Sequence, residues 1–478
     1  MNIVNIIYFI NVFFFVYMFL YALTFFITTI FSAFNLDDFF IRKKHMSQSV
    51  INNDDNYIPI SILVPAYNEE VTIVDSIKSL LYLDYPLYEI VIVNDGSKDK
   101  TVDTVIDAFD LKRVSKPYRR LVESNEAKTI YEGNGKIKII LADKDNGGKS
   151  DALNLGINLC SYPTFLCVDA DSMLQVDALQ RIVEPFLEDD KTVAAGGNIK
   201  ISNHIVIENG EVKEIKRPKK LLVIFQMMEY LRVFLNSRIS LNGINGNLII
   251  SGAFGLYNKQ AVQNIGGYTN GLMGEDMEIM MKIHSYYRKN NIDYKTSYVP
   301  DAICWTQVPE DIKTLKRQRR RWHVGLGQSL KMHKYMLLNP KYGLVGMISF
   351  PYFLFFEYIT PLLEILGLVT ITVSYILGVI NMQFFLLYFL VYMGYNIIVS
   401  MISIVIERYM FSDTTNNKLT LKLILFSILE SFGYRQMISL FRIGNIFKSK
   451  KSQEWGEMKR QERQKSETET ETETETKL

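Results

Sequence analysis

Two long apolar stretches enclose a polar middle region, and this arrangement limits the chain to folds that combine a membrane with a water-exposed domain. The first stretch runs from Ile3 to Phe34. The second runs from Gly343 to Ile406, with Glu357 and Glu364 as its only charged residues. About 20 apolar residues are enough for a helix to cross a bilayer. The sequence therefore predicts membrane-spanning helices on both sides of a soluble domain.

The first apolar stretch predicts one transmembrane helix near 5–33, followed by a linker at 34–57. It lacks the basic start and the small-residue cleavage site of a signal peptide, so we expect the helix to be retained. Arg42, Lys43 and Lys44 follow it, and no charged residue precedes it. Because cations concentrate on the cytoplasmic side, the soluble domain of this multi-pass protein is expected on the cytoplasmic face of the cell membrane.

The second apolar stretch is long enough for three spans joined by short turns, with breaks near Pro361 and Asn381. A further apolar segment at 419–441 contains Glu430 and Arg435. Polar residues of this kind occur in functional membrane spans and in helices that lie in the membrane surface, so both placements stay open.

The tail at 448–478 begins with the cations KSKK and ends in ETETETETETKL. The cations favour a cytoplasmic end, which requires an even number of crossings between 343 and 441. Four crossings are the preferred prediction and two are the alternative. The repetitive polar end of the tail predicts disorder.

The soluble middle of the chain, at 58–330, alternates strand and helix patterns. Apolar runs that end in polar residues, such as YIPISILVPAY and YEIVIVNDGS, are followed by helical spacing, as in VTIVDSIKSLLYL. This alternation predicts an α/β fold with a mostly parallel sheet covered on both faces. Ligands of such sheets bind at the carboxyl ends of the strands, where these polar residues are expected to converge.

Composition adds little about partners. The formal net charge of +2 gives no reason to expect nucleic acid. The three cysteines Cys160, Cys167 and Cys304 lack the spacing of metal ligands and cannot all form pairs. We therefore expect buried, reduced thiols in a reducing compartment.

VDADS at 168–172 places Asp169 and Asp171 two residues apart after an apolar run. On an extended segment these side chains would face the same way, and a cation would relieve their repulsion. Oxygen ligands of this kind suit Mg²⁺ or Mn²⁺, which complete their coordination with water and substrate phosphates. A solvated turn is the alternative, but the predicted position at the sheet edge favours a metal site.

NGGKSDALN at 146–154 places two glycines and Lys149 before a helix. It is not a Walker A motif, because Asp143 stands where that motif requires its first glycine. A cation at a helix start is still a candidate anion contact. VNDGS similarly offers Asp95 as a hydrogen-bond acceptor for a base or ribose, although either segment alone is also typical of an ordinary turn.

Two further motifs carry charge in the second half of the chain. GED ends at Asp276 and precedes helical spacing, so Asp276 is expected to be either an acid in the first helical turn or a general base. In KRQRRRW, which ends at Trp322, Gln318 and Arg321 share a helix face. The other cations, including Arg319, are expected to form an ordinary collar that faces the membrane surface or its anionic lipid headgroups.

The motifs VPAYNEE, VNDGS, NGGKSDALN, VDADS, SGAFG, GED and QRRRW occur in this order. The series resembles the membrane-bound processive glycosyltransferases of family 2, which include cellulose, chitin, hyaluronan and poly-N-acetylglucosamine synthases. The resemblance covers 58–330 in detail and the flanking helices more loosely. EWGEMKR at 454–460 is similar to a tail segment of the bacterial poly-N-acetylglucosamine members.

The resemblance implies a GT-A domain that moves glucose or, as we favour, N-acetylglucosamine from a UDP-sugar to a growing β-linked polysaccharide, with inversion. Asp276 would be the catalytic base, and Asp169 and Asp171 would hold Mg²⁺ or Mn²⁺. The donor-binding residues would be Pro65, Tyr67, Glu69, Asp95 and Lys149. The residues at the acceptor and diphosphate would be Gly252, Ala253, Phe254, Glu275, Gln318, Arg321 and Trp322.

Two other functions remain alternatives. A non-processive transferase would add one sugar to a lipid or glycolipid, but SGAFG, QxxRW and the block of apolar segments favour a growing chain. A transporter or receptor with a cytoplasmic domain is disfavoured, because the apolar segments show no internal repeat. Expected partners are the UDP-sugar, a polysaccharide or glycolipid acceptor and membrane lipid, while accessory export proteins are not specified by the sequence.

Overall fold

The computed structural model describes residues 3–46, 57–203, 205–208, 211–216, 218–411 and 417–444. The predicted tail, with EWGEMKR, lies outside the described residues. The described chain divides into two compact units. We call the part formed by 3–44, 219–246 and 309–444 the helical unit, and the part formed by 57–218 and 247–308 the sheet unit.

The strands are β1 (Ile60–Ala66), β2 (Tyr88–Asp95), β3 (Lys112–Val114), β4 (Ala127–Asn134), β5 (Lys138–Lys144), β6 (Thr164–Cys167), β7 (Met173–Leu174), β8 (Thr192–Ile201), β9 (Ile205–Glu208), β10 (Glu211–Ile215), β11 (Gly255–Asn258) and β12 (Lys295–Thr306). The α-helices are α1 (Ile3–Met46), α2 (Ile73–Leu81), α3 (Thr101–Phe109), α4 (Lys149–Leu159), α5 (Ala178–Glu188), α6 (Leu221–Arg232), α7 (Arg238–Asn242), α8 (Lys259–Asn264), α9 (Glu275–Lys289), α10 (Ile312–Met332), α11 (Thr360–Ile376), α12 (Met382–Met410), α13 (Asn417–Glu430) and α14 (Tyr434–Ile443).

The main sheet is mixed, in the order β3-β4-β5-β2-β1-β6-β11-β8-β12-β7, and β9 pairs with β10 separately. β5, β2, β1 and β6 are parallel neighbours, as are β8 and β12. β11 runs antiparallel between β6 and β8. The prediction of a mostly parallel sheet was therefore wrong. The alternating pattern reflects only the first half of the unit, where α2 and α4 make the crossovers that parallel strands require.

The parallel strands bring the carboxyl ends of β5, β2, β1 and β6 to one edge of the sheet. Helix α4 packs against β1 and β2 beneath this edge and buries every residue from Ser150 to Leu159. A Cβ on Gly156 would lie 3.2 Å from the Leu63 side chain, so the helix approaches the sheet closely. This packing fixes the start of α4, and with it Lys149, at the ligand-binding edge.

The three cysteines are buried in the sheet unit, as predicted. Cys167 and Cys160 belong to the same hydrophobic core as Val91, Ile140 and Phe165. Burial raises the pKa of the Cys160 thiol to about 11 and that of Cys167 to about 12. They are therefore unionised, apolar core residues at neutral pH.

The described part of the helical unit contains three helices that are long and apolar enough to cross a membrane, Asn5–Lys43, Val345–Ile376 and Met382–Met410. Helix α1 continues to Met46, so residues 34–46 of the predicted linker are helical. Helices α13 and α14, with 14 and 10 residues, are shorter than the roughly 20 residues that a span needs.

The prediction of three spans between 343 and 406 was wrong, because the chain stays helical through Pro361. A π-helix at Tyr352–Ile359 runs directly into α11. Local π-helical adjustments of this kind allow a helix to continue past a proline. The predicted break near Asn381 is confirmed. Its Oδ1 caps α12 by accepting the Phe384 amide at 2.9 Å.

Candidate active site

Polar loops after β1 and β2 are tied together at the carboxyl edge of the sheet. Asn94 Nδ2 donates to Asp143 Oδ1 at 2.6 Å, and Ser97 Oγ donates to Asn94 Oδ1 at 2.5 Å. The Asn68 amide donates in turn to Ser97 Oγ at 2.9 Å. The predicted convergence of the polar strand ends is therefore confirmed, and they form one connected rim.

The carboxylate of Asp95, at the end of β2, is only 4% exposed and is bonded within the protein. The amides of Gly147 and Gly148 donate to Oδ1 and Oδ2 at 2.9 and 2.8 Å, and the Lys144 ammonium contacts Oδ1. Gly148 has a φ of 90°, which suits glycine and few other residues. Asp95 therefore shapes the glycine turn before Lys149, and its contact with the nucleoside stays a prediction.

Lys144 is fully buried between two carboxylates. Its ammonium contacts Asp95 and lies 2.6 Å from Asp151 Oδ2, while Asp151 Oδ1 accepts the Asn125 amide at 2.9 Å. A Cβ on Gly147 would lie 2.6 Å from Asp151 Oδ2, so the turn has no room for a side chain. Sequence reasoning missed Lys144 and Asp151, although a lysine at the end of the apolar run KIKIILADK was an available signal.

Lys144→Met is expected to lower the free energy of unfolding by about 3–5 kcal/mol, because it leaves two buried carboxylates without their cation. Lys128→Met is the matched control, since its ammonium pairs with Asp145 at 2.5 Å on the exposed surface. Exposed pairs contribute about 0–1 kcal/mol. Chemical unfolding of the detergent-solubilised full chain measures both, and similar losses in the two variants would contradict the role of Lys144.

Lys149, at the start of α4, lies among carboxylates from two other segments. Its Nζ is 2.5 Å from Asp169 Oδ1 and 3.4 Å from Glu275 Oε1. Burial disfavours the ammonium, but the charges of Asp169, Glu275 and Asp276 raise its pKa above the ordinary value. Lys149 is therefore a permanent cation at neutral pH, in surroundings that carry excess negative charge.

Asp276 lies in the first turn of α9, as predicted for GED, and its Oδ1 accepts the Met277 amide at 2.9 Å. Burial and the neighbouring Glu275 raise its pKa to about 6, although Lys149 opposes the shift. At neutral pH this carboxylate is mostly ionised and more basic than an ordinary aspartate. Its environment therefore suits proton abstraction.

The loop Ser251–Phe254 borders the same cluster. A Cβ on Gly252 would lie 3.1 Å from Lys149 Nζ and 3.6 Å from the Asp276 Cβ, so the glycine backbone lies directly against both residues. Ala253 and Phe254 are buried, and a Cβ on Gly197 would collide with the Phe254 ring. The structure thus brings Gly252 to the site, while Ala253 and Phe254 hold the loop on the core.

The DxD segment after β6 is a tight turn and not the predicted extended segment, because the Ser172 amide donates to the Asp169 carbonyl at 3.0 Å. The turn still keeps the carboxylates of Asp169 and Asp171 close to the buried thiol of Cys304. Burial raises the pKa of the Cys304 thiol above its ordinary value, and the charges of Asp169 and Asp171 raise it further. Both side chains are partly exposed at the sheet edge.

The described residues contain no cluster of three or more histidine, cysteine, aspartate or glutamate side chains arranged to hold a metal ion. The DxD turn nevertheless offers two partly exposed carboxylates and only oxygen ligands. This donor set fits Mg²⁺ or Mn²⁺ when water and substrate phosphates supply the remaining ligands. It does not fit a closed site made of protein ligands alone.

The other predicted donor-binding residues lie on or after β1. Pro65 is partly buried opposite Val93, and Tyr67 is half-buried just beyond the strand. Glu69 is buried, and its Oε2 accepts Thr72 Oγ1 at 2.8 Å before α2 begins. The structure therefore shows Glu69 organising the start of a helix, while its contact with a donor stays a prediction.

Gln318, Arg321 and Trp322 lie on α10 of the helical unit, whereas the residues above belong to the sheet unit. Arg319 was expected to belong to an ordinary collar of cations, and this was wrong. It is 1% exposed, its guanidinium pairs with Glu229 at 2.9 Å, and its Cζ lies 4.4 Å from the Trp322 ring centre. Arg319 is buried because it pairs with Glu229, a partly buried acid on α6 that is distant in sequence.

Two family models match the chain. Residues 61–266 match glycosyl transferase family 2, and residues 164–400 match glycosyl transferase family group 2. A poly-beta-1,6-N-acetyl-D-glucosamine synthase of Staphylococcus epidermidis is 30% identical over 289 residues, or 60% of each chain. Another, of Staphylococcus aureus, is 31% identical over 312 residues, which are 65% of this chain and 63% of the relative. The matches thus span less than two thirds of these relatives.

Among solved structures, a mannosyltransferase from Pyrobaculum calidifontis in complex with GDP-Man and Mn²⁺ aligns with a TM-score of 0.50. It is 16% identical, and the alignment covers 86% of this chain and 99% of that one. The likeness confirms the predicted GT-A fold. The two family models, whose matches together span 61–400 and contain the motif series, show that the chain belongs to glycosyltransferase family 2.

Proposed function

We propose that the chain is an inverting, metal-dependent glycosyltransferase that extends a β-linked polysaccharide at the membrane from a UDP-sugar. The observation that carries this proposal is the environment of Asp276, a carboxylate of raised pKa beside Gly252 and Lys149. The named activity of the staphylococcal relatives supports N-acetylglucosamine over glucose as the transferred sugar.

In the proposed reaction, Asp276 removes the proton of an acceptor hydroxyl while the hydroxyl oxygen forms a bond to the anomeric carbon of the donor. The bond between that carbon and the diphosphate breaks, and UDP leaves with the electron pair. A single in-line displacement inverts the anomeric carbon, so an α-linked donor gives a β-linked product. In this proposal Lys149 stabilises the negative charge that develops on the diphosphate.

Asp169 and Asp171 are the residues that would hold Mg²⁺ or Mn²⁺ in this proposal. A divalent ion bound there neutralises charge on the leaving diphosphate. Lys149 alone does not provide a net positive charge for the diphosphate. The negative charges of Asp169, Glu275 and Asp276 around it already exceed its single positive charge. An anionic donor approaching this cluster is repelled unless a further cation is present.

The helices long enough to cross a membrane support a membrane-bound enzyme. The sheet unit is proposed to lie in the cytoplasm, where a UDP-sugar is available. Gln318, Arg321 and Trp322 are proposed to bind the acceptor end and the diphosphate during chain growth. The acceptor is then the end of the polymer itself.

A donor screen on membranes that contain the full chain tests the function. UDP release is expected to be faster with UDP-N-acetylglucosamine than with UDP-glucose, and the product is expected to be a long polymer that a β-N-acetylglucosaminidase digests. Membranes with Asp276→Asn are the control for background hydrolysis. A ladder that stops after one added sugar contradicts chain extension, and equal release from variant and wild type contradicts the transfer site.

A further inference from the structure

Arg319 differs from the other cations of KRQRRRW because it is buried. Lys316 and Arg317, on the same helix α10, are exposed, whereas the Arg319 side chain is enclosed within the helical unit. Removing a guanidinium from water costs several kcal/mol unless an opposite charge and hydrogen bonds compensate. A buried arginine in this position therefore requires a specific partner.

Glu229 of α6 is that partner, and it is itself held from other directions. Arg319 donates to Glu229 Oε2 at 2.9 Å, the Tyr434 hydroxyl donates to the same oxygen at 3.2 Å, and Arg442 lies 3.6 Å from Oε1. Burial disfavours the carboxylate, but the surrounding arginines keep the pKa of Glu229 below its ordinary value. The carboxylate thus remains ionised and fixes the orientation of the guanidinium.

The guanidinium of Arg319 in turn lies against the Trp322 ring. Its Cζ is 4.4 Å from the ring centre, and the two residues are neighbours at i and i+3 on α10. The negative face of an indole ring attracts a guanidinium at this distance, and burial of the cation strengthens the attraction. Trp322 is 39% exposed, so the ring is supported by a buried cation and still accessible.

We propose that Glu229 and Arg319 are positioning residues that hold the Trp322 indole in the orientation needed for sugar transfer, an inference that rests on the proposed function of Trp322 at the acceptor. The pair acts through the ring and does not touch substrate. A planar guanidinium is required, because it can bond a carboxylate and cover an aromatic face at once. A lysine at the same position keeps the charge and loses the planar contact.

The alternative is that the pair only stabilises the helical unit. Both roles predict a lower unfolding temperature in Arg319→Lys, so stability does not separate them. The two roles are separated by the kinetic constants and by the solvent accessibility of the Trp322 indole. A misplaced positioning group lowers kcat and leaves donor binding unchanged, whereas a purely structural defect lowers the amount of folded enzyme and leaves kcat per folded molecule intact.

The experiment compares Arg319→Lys, Glu229→Gln and the matched control Arg317→Lys in the full chain, purified in detergent. Arg319→Lys is expected to lower kcat about tenfold or more, since small displacements of positioned groups cost up to about a hundredfold. The KM for UDP-N-acetylglucosamine is expected to stay within about twofold. Glu229→Gln keeps the shape of the side chain and is expected to lower kcat with the same small effect on KM. It serves as the test if Arg319→Lys fails to fold.

A spectroscopic measurement separates this inference from the proposed function. In a Trp305→Phe, Trp455→Phe background, fluorescence reports Trp322 alone, and both pair variants are expected to increase its quenching by acrylamide. Quenching and kcat equal to those of Arg317→Lys overturn the positioning role. Suppose that Trp322→Ala keeps full activity while Arg319→Lys and Glu229→Gln still increase the quenching of Trp322. The proposed function of Trp322 then fails, and the contact between Arg319 and the ring stands.

Discussion

Asp276→Asn is expected to abolish sugar transfer and to leave UDP binding unchanged. The amide keeps the shape of the side chain but cannot accept a proton from the acceptor hydroxyl, and general bases contribute about 10²- to 10⁴-fold to rate. UDP binding depends on other groups, among which Lys149 and the DxD turn are the proposed diphosphate contacts. Rates of UDP release and calorimetric titration with UDP measure the two effects separately.

The pH dependence provides a second test of the same residue. Since burial and Glu275 raise the pKa of Asp276 to about 6, the carboxylate is protonated below that pH and ionised above it. The value of kcat/KM is therefore expected to fall as the pH drops through about 6 and to be level at neutral pH. Glu275→Gln removes a neighbouring negative charge, so the inflection is expected to move to lower pH.

Asp107→Asn is the matched control for Asp276→Asn, because it makes the same change on the exposed surface of α3 in the same unit. It is expected to keep wild-type turnover and the same pH profile. Turnover in Asp276→Asn near that of Asp107→Asn would remove Asp276 from the role of base. A wild-type profile without an inflection near pH 6 would contradict the raised pKa.

The location of the site was predictable because its signals are local. An apolar run followed by polar residues indicates a strand end, and parallel strands bring such ends together. Asp169 was found in this way, whereas Lys149 and Asp276 were found at the starts of predicted helices, and the structure places all three in one cluster. Even where the local geometry differed, as in the DxD turn, the position along the strand was sufficient.

The residues that sequence reasoning missed are those whose partners lie far along the chain. Lys144 is buried because Asp95, 49 positions earlier, ends the neighbouring strand. Arg319 is buried because Glu229 is 90 positions earlier on another helix. A run of cations shows no local difference between the member that enters the core and those that face water. The mixed sheet was missed similarly, since β11 joins it by pairing across the fold.

Removing divalent cations is expected to abolish transfer, and Asp171→Ala is expected to have nearly the same effect. Lys149 is the cation observed next to Asp169, and it is shared with Glu275. The carboxylates of Asp169 and Asp171 help to bind the diphosphate only if a divalent ion is bound to them, because the ion is what the diphosphate contacts. Chelation followed by addition of Mg²⁺ or Mn²⁺ should therefore remove and restore UDP release, while Asp171→Ala should need far more metal.

Direct metal binding distinguishes this role from a general loss of structure. In the presence of UDP, electron paramagnetic resonance titration with Mn²⁺ is expected to show weaker binding in Asp171→Ala by about tenfold or more, a typical effect of disturbing a metal site. Asp190→Ala, an exposed change in the same unit, is the control and should bind as wild type does. Lys149→Met should retain Mn²⁺ binding, because it removes a competing cation from Asp169, and yet transfer slowly, because the leaving diphosphate loses a positive charge. Equal activity with and without chelator would instead leave Lys149 as the cation that the chemistry uses, and Asp169 as its counter-ion.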